Sequence, residues 1–208
     1  DLYRSHPEWA MVVPDRRPIR SRSQLVLDMS REDVRAYIKE RMFAVLDSAN
    51  IQYVKWDMNR SVAAAYSALL PRERQGELRH RYVLGLYEVM EAMLERYPDL
   101  LLEGCSGGGG RFDAGMLYYA PQIWCSDNTD AIERLVIHHG TSFGYPMSSV
   151  SAHVSVCPNH QNGRVTPFRT RAICAMQGTF GYELDLSKLS KEEKAEVKQQ
   201  VRMFKERY

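Results

Sequence analysis

Short apolar runs that close on an acid or another polar residue recur along the chain, and apolar positions at helical spacing follow most of them. The runs are Gln24–Asp28, Tyr53–Asp57, Leu100–Glu103, Gln122–Asp127, Ser151–Val156 and Phe180–Asp185. Each has the length and bounding of a buried strand. After the first, Ser30 with Asp33 three residues on reads as an N-cap, and Val34, Ile38, Met42, Val45 and Leu46 form a helical stripe ending near Asn50. After the second, Leu78, Tyr82, Leu86, Val89, Met90, Met93 and Tyr97 form another, stopped by Pro98. Asp130 with Glu133 opens a helix to about His139, ended by Gly140. Thr166-Pro167 opens a further one, and Ser190 with Glu193 caps a last helix carrying Val197, Val201 and Phe204.

Strands that alternate with helices imply a parallel sheet. A doubly wound open sheet and a (β/α)8 TIM barrel both satisfy the alternation. The barrel is favoured because polar and acidic residues close strand after strand, where a barrel gathers its active site; in an open sheet they matter mainly at the switch point. Six βα units are fewer than eight, and a closed barrel takes about 250 residues. The 208 residues therefore read as one partial catalytic (β/α)8-barrel domain over 1–208, with an irregular, Pro- and Arg-rich lead-in over 1–23.

Composition narrows the function classes. A formal net charge of +2, with Lys and Arg spread along the chain, gives no basic patch for nucleic acid. No apolar stretch approaches the roughly 20 residues of a membrane span, and Asp1 to Trp9 lacks the basic-then-apolar pattern of an export signal. Cys105, Cys125, Cys157 and Cys174 are too widely spaced for a disulfide framework and read as free thiols in a reducing, cytoplasmic setting.

Candidate chemistry lies at the strand ends. In an extended Tyr53–Asp57, Lys55 and Asp57 share one face and Trp56 takes the other. A carboxylate beside an ammonium is held in its charged form, as a nucleophile requires, although a lone Lys-x-Asp is more often a structural ion pair. In Ser126-Asp127-Asn128-Thr129-Asp130, Asp130 is explained as a cap, which leaves Asp127 as the second chemical carboxylate. Asp57 and Asp127 close next-but-one strands, a spacing suited to two carboxylates flanking one bond across a barrel mouth. A retaining glycosidase uses such a pair about 5–5.5 Å apart, one ionised and one protonated. Lys55 favours the first role for Asp57; Asp127, with no cation in its own motif and Asp57 opposite, suits the second. Trp56, Trp124 and Tyr118 are candidate sugar-facing surfaces, although buried packing is the commoner fate of such residues. The glycines 107–110 follow a strand without the Lys-Ser/Thr of a phosphate loop and read as a turn where backbone approaches a ligand. A metal-dependent hydrolase built on His153 and His160 is disfavoured by their spacing.

The run Lys55-Trp56-Asp57-Met58-Asn59-Arg60, the Cys105-Ser106 glycine loop with Arg111-Phe112-Asp113, and Ser126 to Asp130 together resemble the signatures of glycoside hydrolase family 36 α-galactosidases. Gln24–Asp28, Pro158-Asn159-His160-Gln161 and Phe180–Asp185 extend the resemblance over nearly the whole chain. It implies a retaining α-galactosidase region, equivalent to the third to eighth strands of the barrel, acting on raffinose-type oligosaccharides. Asp57 would be nucleophile and Asp127 acid/base, with Arg22, Lys55, Asn59, Cys105 and Gly108 contacting galactose. It further implies no metal or organic cofactor and a homo-oligomer, a tetramer in the complete enzyme. The alternative is a non-catalytic sugar-binding or structural fragment of such an enzyme.

Overall fold

In a computed structural model, residues 2–207 are described. The strands are β1 Tyr53–Asp57, β2 Leu101–Cys105, β3 Gln122–Ile123, β4 Ser151–Ser155 and β5 Thr179–Glu183. The helices are α1 Leu2–Ser5, α2 Glu32–Leu46, α3 Leu78–Arg96, α4 Ala114–Tyr119, α5 Ala131–Ser142, α6 Phe168–Ala175 and α7 Lys191–Arg207, with short 3-10 turns between. The sheet order is β1-β2-β3, and β4 pairs with β5. The pairs β2/β3 and β4/β5 are parallel, and a parallel bridge joins Ile123 to Val150 at the threshold of β4.

The chain divides into two compact bodies. The first comprises 2–54 and 58–101, the second 55–57 and 102–207, so β1 contributes its last three residues to the second. In the first body Met11, Val26, Leu70 and Leu78 form the core, with Met58, Val62, Ala65 and Tyr82 packed against it. In the second, Val154 of β4 meets Phe168, Ala172 and Ala175 of α6, and Phe180, Tyr182 and Val197 close over them. Ser151, Ala152, Val154 and Ser155 of β4 are all buried, as a strand of a parallel sheet covered on both faces requires.

The first expected strand is absent. Gln24–Asp28 forms only isolated antiparallel bridges, Ser21 to Gln24 and Leu27 to Ala10. Arg22 and Ser23 take φ of 50° and 60°, the left-handed pair of a two-residue turn that normally uses Asn or Gly. Asp28, fully buried, accepts from the amide and hydroxyl of Ser30 and from the hydroxyl of Ser67. That engagement removes the Ser30 cap as well: α2 starts after Arg31, and Asp33 accepts instead from Trp9 Nε1 and Arg31.

Other boundaries move by a few residues. β3 stops at Ile123 rather than Asp127, and α5 runs through Gly140 to Ser142, whose hydroxyl with that of Thr141 bonds the preceding turn. Asp130 caps α5 through the amides of Ile132 and Glu133, whereas the Glu133 carboxylate accepts from the Asn128 side chain rather than from the Asp130 amide. Ser190 and Glu193 make the reciprocal capping box at α7.

Within the first body α3 crosses the start of α2 at Gly85, where an added Cβ would lie 1.9 Å from the Met29 carbonyl oxygen. Helix propensity alone would make Gly85→Ala stabilising by about 1 kcal/mol. The backbone clash outweighs it, and thermal unfolding of Gly85→Ala is expected to show a net loss of about 2 kcal/mol. An unchanged or higher midpoint would refute this packing.

Candidate active site

The second body gathers Lys55, Asp57, Cys105, Gly108 and Asp127. On β1, Lys55 and Asp57 are exposed and Trp56 is half-buried, following the strand's alternation. The Lys55 ammonium lies 3.4 Å from Oε1 of Glu103, a buried acid on β2. Gln122 donates to the other Glu103 oxygen at 2.6 Å and approaches Ser151 Oγ at 3.3 Å. Lys55 thus pairs with a carboxylate that had counted only as a strand closure.

Cys105 ends β2 beneath Asp57. Burial pushes its thiol up to about 11; the hydrogen bond to Asp57 acts in the same direction, against a bond from the Gly108 amide. The thiol therefore keeps its proton at neutral pH and donates it to the Asp57 carboxylate. Arg111 clamps the two strand ends, donating to the carbonyls of Trp56 at 3.2 Å and Cys105 at 2.7 Å.

Gly108 takes φ +80°, and a Cβ there would meet Ser126 Cα at 2.8 Å and the Asp127 amide nitrogen at 2.9 Å. Only glycine lets the loop after β2 press on the backbone that carries Asp127. The Asp127 segment is held from three further sides. Trp124 Nε1 donates to Asp127 Oδ1 at 3.0 Å, and Gln161 Nε2 donates to the Asp127 carbonyl at 3.0 Å. Arg134 of α5, only 3% exposed, donates at 2.9 Å to the carbonyls of both Ser126 and Asn128, the neighbours of Asp127.

Arg134 also reaches the Ser151 carbonyl, Cys125 Sγ and His138 Nε2, and its guanidinium carbon lies 4.1 Å from the Trp124 ring centre. Because guanidinium can only donate, His138 Nε2 must accept. The proton is then assigned to Nδ1, facing Gln177 Oε1 at 3.2 Å. Burial, and after it the Arg134 charge, pushes His138 down to about 4. His153 stacks on Trp124 at 4.2 Å and is likewise pushed down to about 4 by burial, then by Arg134 and Lys55.

Trp124 is buried, whereas Tyr118 stands exposed on α4 and Trp56 faces away from Asp57. His160 is exposed in the loop after β4. Among the described residues no three His, Cys, Asp or Glu side chains are grouped as metal ligands. Arg22 and Asn59 belong to the first body, Arg22 exposed in its left-handed turn and Asn59 half-buried just past β1. There Arg60 donates to the carbonyls of Ile19 and Gln24 and fixes the turn that carries Arg22. Sequence reasoning missed Glu103, Arg134 and His138. The available signal was Arg134 and His138 at i, i+4 on one face of a capped helix.

His138 makes stability pH-dependent. It is held neutral in the folded chain to about pH 4, whereas an unfolded His takes a proton near 6.5. Between those values the unfolded state binds more protons, so stability falls on acidification, by up to about 1.4 kcal/mol per pH unit. At His153 burial works against the Glu183 carboxylate, 2.5 Å from its Nε2, so the decline is assigned to His138. Urea titrations at pH 7, 5.5 and 4.5 are expected to show that decline; constant stability would contradict the buried neutral imidazole of His138.

The melibiase family model matches residues 1–208. The chain is 58% identical over 205 residues to the bifunctional α-galactosidase/sucrose kinase AgaSK of Mediterraneibacter gnavus, covering 99% of this chain and 21% of that protein. It is 57% identical to α-galactosidase Mel36A of Lactobacillus acidophilus, covering 99% of this chain and 28% of that one. The solved structure of a substituted α-galactosidase AgaA from Geobacillus stearothermophilus in complex with raffinose superposes with a TM-score of 0.96 at 57% identity, over 99% of this chain and 29% of that one. A second substituted AgaA, in complex with stachyose, gives 0.95 at the same identity and coverage. The chain thus spans between a fifth and three tenths of the length of these relatives.

Proposed function

The chain belongs to the melibiase family, glycoside hydrolase family 36, as a segment of its (β/α)8 catalytic barrel, and from that premise we propose that it carries the reacting carboxylates of a retaining α-galactosidase. The observation that carries the reading is the difference between the two acids. Asp57 accepts a hydrogen bond from the proton-bearing thiol of Cys105. Asp127 has one oxygen tied to Trp124, and among the described residues the other has no protein partner.

In the first step Asp57 attacks the anomeric carbon while Asp127 gives its proton to the leaving oxygen. In the second, Asp127 takes a proton from water as that water displaces Asp57, restoring the original configuration. The pair supplies nucleophile, acid and base, so the route calls for no cofactor. Arg22, Lys55, Asn59, Cys105 and Gly108 are proposed to hold galactose. Raffinose-type oligosaccharides are proposed as substrates because the AgaA structures hold raffinose and stachyose. A cytoplasmic setting fits the four free cysteines, and a homo-oligomer is proposed on the family resemblance.

Azide separates the two acids. In a full-length polypeptide carrying this chain, Asp57→Ala is expected to lose turnover of an aryl α-galactoside by at least about 10³-fold. Azide then fills the space of the missing carboxylate and gives the β-galactosyl azide. Asp127→Ala retains the nucleophile, so azide attacks the galactosyl-enzyme and gives the α-azide. Near wild-type turnover by Asp57→Ala, or the same anomer from both variants, would sink the assignment.

A further inference from the structure

The reaction gives Trp124 no role. Its ring is 3% exposed and so cannot serve as a platform for sugar. A buried indole N–H usually finds a backbone carbonyl or another buried acceptor; here it is aimed at Asp127, whose residue is exposed at the end of the strand run. The ring is fixed from three elements. His153 of β4 stacks on it at 4.2 Å and 12°, the Arg134 guanidinium of α5 lies 4.1 Å from its centre, and the Lys55 ammonium of β1 lies 5.2 Å away. Such contacts leave the N–H little freedom to turn, and cations over the ring make it a better donor.

An indole nitrogen donates and never accepts. The oxygen it faces, Oδ1, must therefore present a lone pair in both states of the carboxyl group, and the carbonyl oxygen of a carboxylic acid is a better acceptor than its hydroxyl oxygen. When Asp127 is protonated, the N–H at Oδ1 favours the proton on Oδ2, the oxygen with no protein partner among the described residues. We infer that Trp124 is a positioning residue that fixes the Asp127 carboxyl group and dictates which of its oxygens carries the catalytic proton. The inference rests on the galactosidase reading above. In that reaction the Oδ2–H proton passes to the glycosidic oxygen as its bond to the anomeric carbon breaks and the bond from Asp57 forms. The alcohol leaves neutral, and Asp127 remains an anion stabilised at Oδ1 by Trp124. In the second step Oδ2 regains a proton from the attacking water as the ester to Asp57 breaks.

Trp124→Phe removes the donor and retains an aromatic ring. In a full-length polypeptide carrying this chain, kcat/KM for raffinose, whose leaving group needs protonation, is expected to fall at least about tenfold further than for 2,4-dinitrophenyl α-galactoside, whose leaving group does not. Loss of a bond to the anionic form should also move the alkaline limb of the raffinose profile up by about one pH unit. Packing damage alone would lower both substrates alike and leave the limb in place, and that result would overturn the inference. An independent readout needs no turnover and no Trp124 variant that folds. With 5-fluorotryptophan incorporated, one fluorine resonance should titrate in the wild-type protein and stop titrating in Asp127→Asn. A spectrum with no such resonance would overturn the inference. Wild-type protein inactive on both galactosides would remove the galactosidase reading, and the proton placement would still stand or fall on the fluorine titration.

Discussion

A buried guanidinium with no carboxylate among its hydrogen-bond partners is the constraint on which the second body depends. Moving such a charge out of water costs several kcal/mol unless every donor is met. Arg134 meets that condition with carbonyls, a cysteine sulfur and an imidazole: Ser126, Asn128, Ser151, Cys125 and His138. Burial depresses its pKa below the usual arginine value, the expected direction for a desolvated cation. Its acceptors come from α5, from the segment after β3 and from β4, so the cation acts as a fastener between elements far apart in sequence. The arrangement also fixes the His138 tautomer. A protonated His138 would set two donors against each other, which explains why an imidazole in this place stays neutral.

The same cation accounts for the shape of β3. A strand continued to Asp127 would spend the carbonyls of Ser126 and Asn128 on a sheet partner. Arg134 takes both, and the chain peels away after the Trp124 amide makes its last ladder bond to Gly104 at 2.9 Å. Asp127 is thereby carried on a loop pinned at both flanking carbonyls, backed by Gly108 and braced by Gln161. A functional side chain on a loop is ordinarily less well fixed than one on a strand. Here the loop has more anchors than a strand end would give it.

Much of this was legible in the sequence. The strand beginning at Tyr53, the four later strand starts to within a residue, the caps at Asp130 and Ser190, and Asp57 as the close of its strand all follow from periodicity and cap chemistry. The misses have a common cause. Gln24–Asp28 has strand composition, yet its acid is fully buried and bonded to Ser30 and Ser67, a tertiary commitment that no local pattern announces. The turn at Arg22-Ser23 uses left-handed φ without Gly or Asn, so its chemistry gave no signal. Arg134 looked like one more surface charge, because a sequence shows a cation and its spacing but not how many carbonyls will converge on it.

The division of labour between the carboxylates also looks different once the partners are known. Sequence alone suggested a charge argument, with Lys55 beside Asp57 and no cation near Asp127. Lys55 instead leans on the buried Glu103 and reaches the Trp124 ring, while Arg134 lies against the same ring beneath Asp127. Positive charge therefore underlies both sides of the pair, and proximity to a cation is a poor basis for telling them apart. The neutral donors differ more clearly. Cys105 meets Asp57 with a weak S–H donor on a flexible single bond, whereas Trp124 meets one oxygen of Asp127 with a rigid N–H locked by stacking. A nucleophile gains from a weak donor, because lone-pair density must be given up to carbon during attack. An acid/base gains from a rigid one, because its proton must leave from and return to a single oxygen. On that argument the neutral donors beneath the two carboxylates support the proposed roles, nucleophile for Asp57 and acid/base for Asp127, better than the cations around them do.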